Sequence, residues 1–354
     1  MVIKKISLQN FRNYRKKSFE FSPGKNLIIG PNAVGKTNLL EAIYLLASGK
    51  SLRAGVETEM ISYGEEMARV TGVVNEEKIG LEIILTTGEV MGQKVGKKKY
   101  LTNGVSKRAY DFVGNFRAVY FGPEDLELVT DSPSIRRKYL DAVLSQTDPE
   151  YTRAVLSYEK GLRSRNKILE EMKETGITDR RRLYFWDQLL IKNGNIISER
   201  REEFLNFLNS MAETQTRNGY IVEYDRSTIS AERLKQYEDV EISAGMTLVG
   251  PHRDDFVMQI YRSSSGEKEL SAYGSRGEQR LGILWLKQGE LKFVREKTLT
   301  LPVLLLDDIF SELDREHREF VVNSVGEEGQ VIVTSADIEM LEKGFFEEVN
   351  VISI

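Results

Sequence analysis

Cysteine is absent from this 354-residue sequence, and histidine occurs at two positions, His252 and His317. The absence of cysteine excludes disulfide bonds, thiolate zinc sites and a cysteine nucleophile, and it is compatible with a reducing compartment. Two isolated histidines do not form a pattern of transition-metal ligands. The chemistry of this chain must therefore come from other side chains.

Long apolar runs and an excess of either charge are also missing. No run reaches the roughly 18 apolar residues of a membrane-spanning helix, and MVIKKISLQNFRNY lacks the apolar core of a secretion signal. We therefore expect a soluble, cytoplasmic protein. The 50 Lys and Arg residues against 54 Asp and Glu residues give a formal charge of -4. Any surface that attracts nucleic acid must therefore be local.

The sequence does contain the mixture of strand and helix patterns that is typical of an α/β fold. VIKKISL, KSFEF and KNLIIG are strand patterns, and runs such as LEIIL and RAVYF between about residues 68 and 120 predict an antiparallel sheet. Helical patterns near residues 149–175 and 180–214 predict an antiparallel arm whose helices are each about 40 Å long. We expect residues 1–120 plus 217–354 to form one α/β domain, with residues 121–216 as an inserted helical arm or lid.

The stretch GPNAVGKT, residues 30–37, fits the phosphate-loop pattern G-x-x-x-x-G-K-[ST] and lies between a buried-strand pattern and a helix pattern. In such a loop the backbone amides hold phosphates, the lysine adds charge and the hydroxyl of the last residue binds magnesium. An ordinary glycine-containing turn is the alternative, and both flanks argue against it. The predicted nucleotide-binding residues are Gly30, Pro31, Asn32, Ala33, Val34, Gly35, Lys36, Thr37 and Asn38.

Two further stretches carry chemistry. In LLLDD an apolar strand ends in two acids, Asp307 and Asp308. We predict that Asp307 is a magnesium ligand and that Asp308 can activate a water molecule. These acids could instead cap a following helix, an alternative that fits Asp314 better. In GSRGEQR a glycine-serine turn opens a helix, and this arrangement predicts a second anion site at Ser275 and Gly277.

The order of phosphate loop, long insertion, SRG turn, LLLDD strand and SELD stretch resembles the ABC-type ATPase heads of transporters, SMC proteins and their DNA-repair relatives. Among these, NFRNY near the start and GPHRDD before the SRG turn make the chain most similar to the RecF family. The resemblance covers the whole chain. It implies the fold of an ABC-type P-loop ATPase head, with a mixed central sheet, an antiparallel sheet and the inserted helical arm.

The resemblance also implies a head-to-tail homodimer with ATP and Mg²⁺ between two copies. Lys36 and Thr37 would contact the ATP of their own copy, and Ser275 and Gly277 that of the partner. Arg12 and Asn13 match positions near the nucleotide. The residues that match the dimer-interface loop are Ser311, Glu312 and Asp314.

The function implied by the resemblance is ATP-dependent DNA binding in DNA repair, recombination and replication, including gap repair and the SOS response. RecO and RecR are the implied partners, and RecA loading is the downstream step. The alternative is the nucleotide-binding subunit of an ABC transporter, against which the long helical insertion and the NFRNY start argue. ATP-dependent retardation of DNA by the lone protein would separate the two.

The sequence departs from transporter heads at three positions. Asp308 replaces the usual glutamate, Thr334 or Ser335 stands where a switch histidine is expected, and GPEDLELV offers acids where a glutamine is expected. We therefore expect slow, weak ATP hydrolysis, stimulated by DNA, with ATP acting mainly as a clamp.

The basic residues suggest where DNA binds, because phosphate contacts require lysine and arginine. Solvated surface lysines are an equally weighted alternative for the run in KVGKKKYLTNGVSKR. The aromatics of DRRRLYFW could stack on bases, but we expect them to pack between the arm helices. The predicted DNA contacts are Arg53, Lys97, Lys98, Lys99, Lys107 and Arg108.

Overall fold

The computed structural model describes residues 1–75, 79–212, 219–262, 266–308, 329–336 and 349–354. They form two compact units, Met1–Asp125 with Glu290–Ile354, and Leu126–Gly289. This division differs from the predicted one because residues 219–289 group with the helical segment rather than with the first 120 residues. The predicted boundaries of the ATPase head and its arm remain a prediction.

A five-stranded parallel sheet forms the centre of the first unit, with the strand order β10-β14-β15-β3-β16. Every residue of β10, β14 and β15 is buried, as expected for a parallel sheet that is covered on both faces. The strands are β3 (Lys25–Ile29), β10 (Ala118–Phe121), β14 (Val303–Asp307), β15 (Val331–Ser335) and β16 (Asn350–Ser353).

The prediction that RAVYF belongs to the antiparallel sheet is wrong. This run forms β10, which pairs in parallel with β14 and places Ala118 opposite Val303. Its four buried residues do not alternate between a buried and an exposed face, and that pattern is typical of a strand covered on both sides.

The antiparallel sheet of the first unit has six strands in the order β2-β1-β4-β5-β8-β9. Its strands, with the short hairpin β6-β7, are β1 (Ile3–Phe11), β2 (Tyr14–Glu20), β4 (Met67–Val74), β5 (Ile79–Thr86), β6 (Glu89–Val90), β7 (Gln93–Lys94), β8 (Lys98–Thr102) and β9 (Val105–Lys107). Helix α1 (Lys36–Ser48) contacts strands of both sheets. A Cβ atom at Gly72 would lie 2.5 Å from Leu46 Cδ1 of α1, so the missing side chain lets sheet and helix approach.

The second unit is mostly helical and carries a small antiparallel sheet in the order β11-β12-β13. Helix α9 contributes residues to both units, because the division falls between Gly289 and Glu290. After α2 (Ala109–Phe112) of the first unit, the elements are α3 (Glu127–Thr130), α4 (Pro133–Thr147), α5 (Pro149–Thr175), α6 (Tyr184–Ala212), β11 (Tyr220–Asp225), α7 (Ala231–Ala244), β12 (Asp255–Arg262), β13 (Gly266–Glu269), α8 (Leu270–Tyr273) and α9 (Arg276–Thr298).

Helices α5 and α6 confirm the two long predicted helices. Helix α5 has 27 residues, so it is about 40 Å long. It begins with Asp148 accepting a hydrogen bond from the Glu150 amide and ends at Gly176 in the left-handed region. Both helices also contact α7, and α6 contacts β11. The two helices are therefore packed into the second unit. No described helix is both long and apolar enough to cross a membrane.

The prediction that the aromatics after the arginine run pack between these helices is wrong for two of them. Tyr184 and Phe185 are 68% and 63% exposed, whereas the preceding Leu183 is buried against Leu169 and Met172. Leu183 therefore fills the space between the helices. The arginines of the same run form ion pairs within the unit, with Glu238, Asp239, Asp179 and Glu171.

Candidate nucleotide-binding site

The phosphate loop lies at the carboxyl end of β3 and leads directly into α1, as its sequence predicts. Ligands of parallel α/β sheets bind at this edge. Gly35 has φ 122°, a conformation that is strained for any residue with a side chain. The first turn of α1 presents free amide groups and the positive end of the helix dipole, which together favour an anion.

Lys36 is folded back over the loop it belongs to. Its Nζ donates hydrogen bonds to the backbone oxygens of Gly30 at 2.7 Å and Pro31 at 3.1 Å. The residue is 8% exposed. The ammonium group is therefore held at the loop without a carboxylate partner among these contacts, and its charge is available to a bound phosphate.

Asn13 and Tyr14, from NFRNY, donate hydrogen bonds to backbone oxygens of the phosphate loop. Asn13 Nδ2 donates to the oxygen of Val34 at 2.7 Å, and its Oδ1 accepts from Asn38 Nδ2 at 2.9 Å. Tyr14 Oη donates to the oxygen of Gly35 at 3.0 Å. A Cβ atom at Gly35 would lie 2.6 Å from Asn13 Nδ2. Asn13 thus shapes the loop directly, and Tyr14 is a supporting residue that the sequence did not reveal.

Arg12 has a buried partner on α1. Its Nε and Nη2 donate to the two carboxylate oxygens of Glu41 at 2.8 and 2.7 Å, and Glu41 is fully buried. Its Nη1 donates to the backbone oxygen of Glu59 at 2.8 Å. The hydrogen bonds that Arg12 donates to Glu41 raise the pKa of the Arg12 guanidinium. These contacts give Arg12 a role in fixing α1, and its predicted contact with nucleotide remains a prediction.

Asp307 ends β14 at the same sheet edge, and the residue is 3% exposed. Its Oδ1 accepts a hydrogen bond from Thr334 Oγ1 at 2.7 Å, and its Oδ2 accepts one from Tyr120 Oη at 3.0 Å. Thr334, one of the two residues that stand where a switch histidine is expected, is therefore a direct partner of the predicted magnesium ligand. The sequence did not indicate Tyr120, because its position depends on the pairing of β10 with β14.

Asp308 leaves the strand with φ 50°, a left-handed conformation that aspartate tolerates better than most residues. Its amide donates to Thr334 Oγ1 at 3.0 Å, and the residue is exposed. The residue is therefore accessible to solvent, as a group that activates water must be. Its predicted role in activating water remains a prediction.

The residues that suit a magnesium ion are Asp307 and Thr37. Both offer hard oxygen atoms, and magnesium at phosphate sites uses one or two carboxylates with phosphate oxygens and water. Among the described residues no cluster of three or more acidic or histidine side chains could hold a metal without such help.

The SRG turn lies in the second unit and forms a capping box at the start of α9. Ser275 Oγ and the Ser275 amide donate to Glu278 Oε2 at 2.9 and 2.8 Å, and the Glu278 amide donates back to Ser275 Oγ at 3.3 Å. The bonds from Ser275, followed by that from Arg262, lower the pKa of Glu278. The pattern S-x-x-E could have revealed this box from the sequence. It fixes the turn so that Gly277 is exposed.

The predicted DNA contacts fall into two groups. The exposed group comprises Arg53, Lys97, Lys99, Lys107 and Arg108. Lys98 differs, since its side chain is 9% exposed and pairs with Glu57, while its Nζ also donates to the Gly49 oxygen at 2.8 Å. Burial lowers the pKa of Lys98. The structure therefore favours a structural role for Lys98, because its ammonium has little surface for a phosphate.

Arg53 also has partners near the phosphate loop. Its Nη2 donates to Asn38 Oδ1 at 3.0 Å, and its Nη1 lies 3.5 Å from Glu124 Oε1. The structure thus brings Arg53 to the nucleotide-loop helix. The predicted interface residues Ser311, Glu312 and Asp314 lie outside the described residues.

The GPHRDDF motif, whose role the sequence did not resolve, supplies a buried network in the second unit. Asp254 is fully buried and accepts hydrogen bonds from Arg201 Nη1 at 3.0 Å and from Tyr224 Oη at 2.5 Å. His252 Nδ1 lies 2.8 Å from Tyr158 Oη, and burial lowers the pKa of His252 to about 4. The motif therefore holds the unit together through neutral His252 and paired Asp254.

Comparison with known proteins places this geometry in a family. The model of the RecF/RecN/SMC N terminal domain matches residues 2–353. The chain belongs to the RecF family. The DNA replication and repair protein RecF of Herpetosiphon aurantiacus is 34% identical over 99% of this chain and 97% of its own, and that of Halalkalibacterium halodurans is 33% identical over 100% and 98%.

Solved RecF structures have the same fold. The recombination mediator protein RecF-ATPrS of the RecFOR pathway aligns with a TM-score of 0.84 and 33% identity, covering 100% of this chain and 96% of that one. The RecF-ATP structure aligns with a TM-score of 0.80 and 34% identity, covering 95% and 93%. The predicted fold class, an ABC-type ATPase head with mixed sheets and helices, is therefore confirmed for this RecF-family chain.

Proposed function

We propose that this RecF-family chain binds ATP and Mg²⁺, forms a head-to-tail homodimer around the nucleotide, and in that state binds DNA in the cytoplasm. With RecO and RecR it supports RecA loading at single-stranded and duplex gap regions, in repair, replication and the SOS response. One observation carries the proposal. The phosphate loop follows β3 and Asp307 ends β14, and these two strands belong to the same parallel sheet. Both groups therefore lie at the edge where the carboxyl ends of the strands meet. Full-length similarity to RecF-ATP supports it.

The residues at this edge divide the work of holding magnesium and ATP. The amides of the loop and Lys36 bind the phosphates, while Thr37 and Asp307 hold the metal. When bound, the ion neutralises phosphate charge. Hydrogen bonds from Thr334 and Tyr120 hold the Asp307 carboxylate in one orientation, and such outer partners tune metal affinity.

The SRG turn supports nucleotide binding between two copies. A Cβ atom built at exposed Gly277 would have no heavy atom within 4 Å among the described residues. Packing among the described residues therefore gives no reason for a glycine here. A second copy, whose ATP approaches the start of α9, supplies that reason, because glycine lets backbone amides come close to phosphate.

Exposed lysines support the proposal that the chain binds DNA, and the absence of a histidine at the switch position supports the proposal that it hydrolyses ATP slowly. Lys97, Lys99 and Lys107 are exposed in the region from β8 to β9 and can neutralise DNA phosphates. Thr334 or Ser335 stands where a switch histidine is expected, so this position supplies no group that titrates near neutral pH. The Thr334 hydroxyl donates its hydrogen to Asp307. ATP therefore acts mainly as a clamp, with weak, DNA-stimulated turnover.

Sedimentation velocity with and without Mg²⁺-ATP and a gapped DNA tests the dimer. The wild type should shift from monomer to dimer with ATP, and Lys36→Ala should stay monomeric because it loses nucleotide. Ser275→Arg should still bind ATP yet stay monomeric, because the arginine blocks the partner's phosphates. Lys16→Ala, at an exposed lysine of β2, is the matched control and should dimerise normally. A wild type whose sedimentation ATP does not change would refute the proposal.

A further inference from the structure

One phenol hydroxyl lies between two carboxylates at the edge of the parallel sheet. Tyr120 Oη is 3.0 Å from Asp307 Oδ2 and 3.0 Å from Glu124 Oε2. A neutral phenol has one proton to donate, so the two carboxylates share a single donor. Both acids are therefore held in position by the same atom.

The ring that carries this hydroxyl is itself fixed. Tyr120 is 2% exposed, and its ring packs edge-on against that of Tyr44 with 6.2 Å between the centroids. Gly122 leaves space for the phenol, since a Cβ atom at that position would collide with it. These contacts hold the phenol with its hydroxyl at the two acids.

Each carboxylate has a further partner on its other oxygen. Asp307 Oδ1 accepts from Thr334 Oγ1 at 2.7 Å, and Glu124 Oε1 lies 3.5 Å from Arg53 Nη1. The cluster thus contains the carboxylates of Asp307 and Glu124 on either side of the Tyr120 hydroxyl, with the Arg53 guanidinium next to Glu124. Two carboxylates so close together repel each other, and a divalent cation relieves that repulsion.

We propose that Tyr120 is a positioning residue for the magnesium ion of the nucleotide site and that Glu124 is the second carboxylate of that site. The inference rests on the proposed magnesium-ATP function. The hydroxyl fixes the Asp307 and Glu124 carboxylates before the ion arrives, which lowers the cost of assembling the site. Glu124 and Asp125 are the two acids that stand where a transporter head would carry a glutamine.

The test is the Mg²⁺ requirement of nucleotide binding. A fluorescent ATP analogue is titrated into wild type and Tyr120→Phe at a series of Mg²⁺ concentrations, and Mn²⁺ binding to the ATP complex is followed by electron paramagnetic resonance. Loss of an outer hydrogen-bond partner lowers metal affinity about 10-fold or more. We therefore expect Tyr120→Phe to need about 10-fold more Mg²⁺ for half-saturation, with the affinity of the wild type restored when Mg²⁺ is in excess.

Tyr44→Phe is the matched control, because it removes a buried hydroxyl from the neighbouring ring and leaves the Tyr120 bridge in place. Its Mg²⁺ midpoint should equal that of the wild type. A Tyr120→Phe midpoint within twofold of wild type would overturn the inference, as would a loss of affinity that excess Mg²⁺ does not restore. If ATP binding by the wild type itself does not depend on Mg²⁺, the magnesium-ATP function fails instead.

Discussion

Replacing Arg201 with methionine should destabilise the second unit far more than the same change at its neighbour Arg200. The Arg201 side chain is 4% exposed and pairs with Asp254, which is fully buried, and with Asp141. It also donates to the oxygen of Pro251 at 2.7 Å. The methionine side chain would leave Asp254 without its cation in a site where water cannot replace it.

Breaking a buried pair on one side costs about 3 to 5 kcal/mol, a large share of the roughly 5 to 15 kcal/mol that stabilises a typical domain. Arg200 pairs with Asp148 at 2.8 Å, but its side chain is 37% exposed. Exposed pairs of this kind contribute about 0 to 1 kcal/mol. The two adjacent arginines therefore differ in predicted cost because of burial, not because of charge.

The assay is urea unfolding followed by tryptophan fluorescence, because both tryptophans of the chain, Trp186 and Trp285, lie in the second unit. Arg200→Met should unfold at nearly the wild-type urea concentration, and Arg201→Met well below it. Equal shifts for the two variants would refute the reasoning. So would a cost under about 1 kcal/mol for Arg201→Met, because an uncompensated buried charge cannot be that inexpensive.

Two other predictions use the same approach. His252 has its ordinary pKa of 6.5 in the unfolded chain and a pKa of about 4 in the folded chain, so the free energy of unfolding should fall by about 3 kcal/mol as the pH drops from 6.5 to 4. The urea midpoint, measured as a function of pH, should therefore change less steeply for His252→Gln than for the wild type. Parallel curves for the two proteins would contradict this prediction. Lys98→Ala should lower the melting temperature because it leaves Glu57 without its ion-pair partner. Lys99→Ala, at an exposed lysine, should leave the melting temperature unchanged and weaken ATP-dependent DNA binding in a salt-dependent manner. A lower melting temperature for Lys99→Ala together with weaker DNA binding for Lys98→Ala would exclude this division of roles.

The sequence predicts those parts of the site that are contiguous in the chain. The strand, loop and helix around residues 30–37 and the strand that ends at Asp307 are present as expected. Each depends on a local rule, either a glycine and lysine spacing or an apolar run that stops at an acid. Helices α5 and α6 were predictable for the same reason, since a 3.6-residue period over many turns is a strong local signal.

The residues that the sequence did not reveal depend on pairing between distant strands. Tyr120 reaches Asp307 across 187 positions of sequence, and it does so because β10 lies beside β14. A run of four apolar residues fits an antiparallel or a parallel strand equally well, so periodicity alone did not assign β10 to the central sheet. The sequence also did not reveal the burial of Lys98, for a related reason. It belongs to a basic run, but burial by Glu57 and Gly49 depends on contacts that composition does not contain.

Thr334 connects these arguments to the rate of the proposed ATPase. In a switch role, a residue at the position of Thr334 or Ser335 would exchange a proton or a strong hydrogen bond with the γ-phosphate. Here the Thr334 hydroxyl donates to Asp307 and accepts from the Asp308 amide. Those two hydrogen bonds fix the position of Asp307, the predicted metal ligand, relative to Asp308, the predicted water-activating residue. The hydroxyl therefore stabilises the geometry of the site before ATP binds, an arrangement that suits a clamp better than a rapid hydrolase.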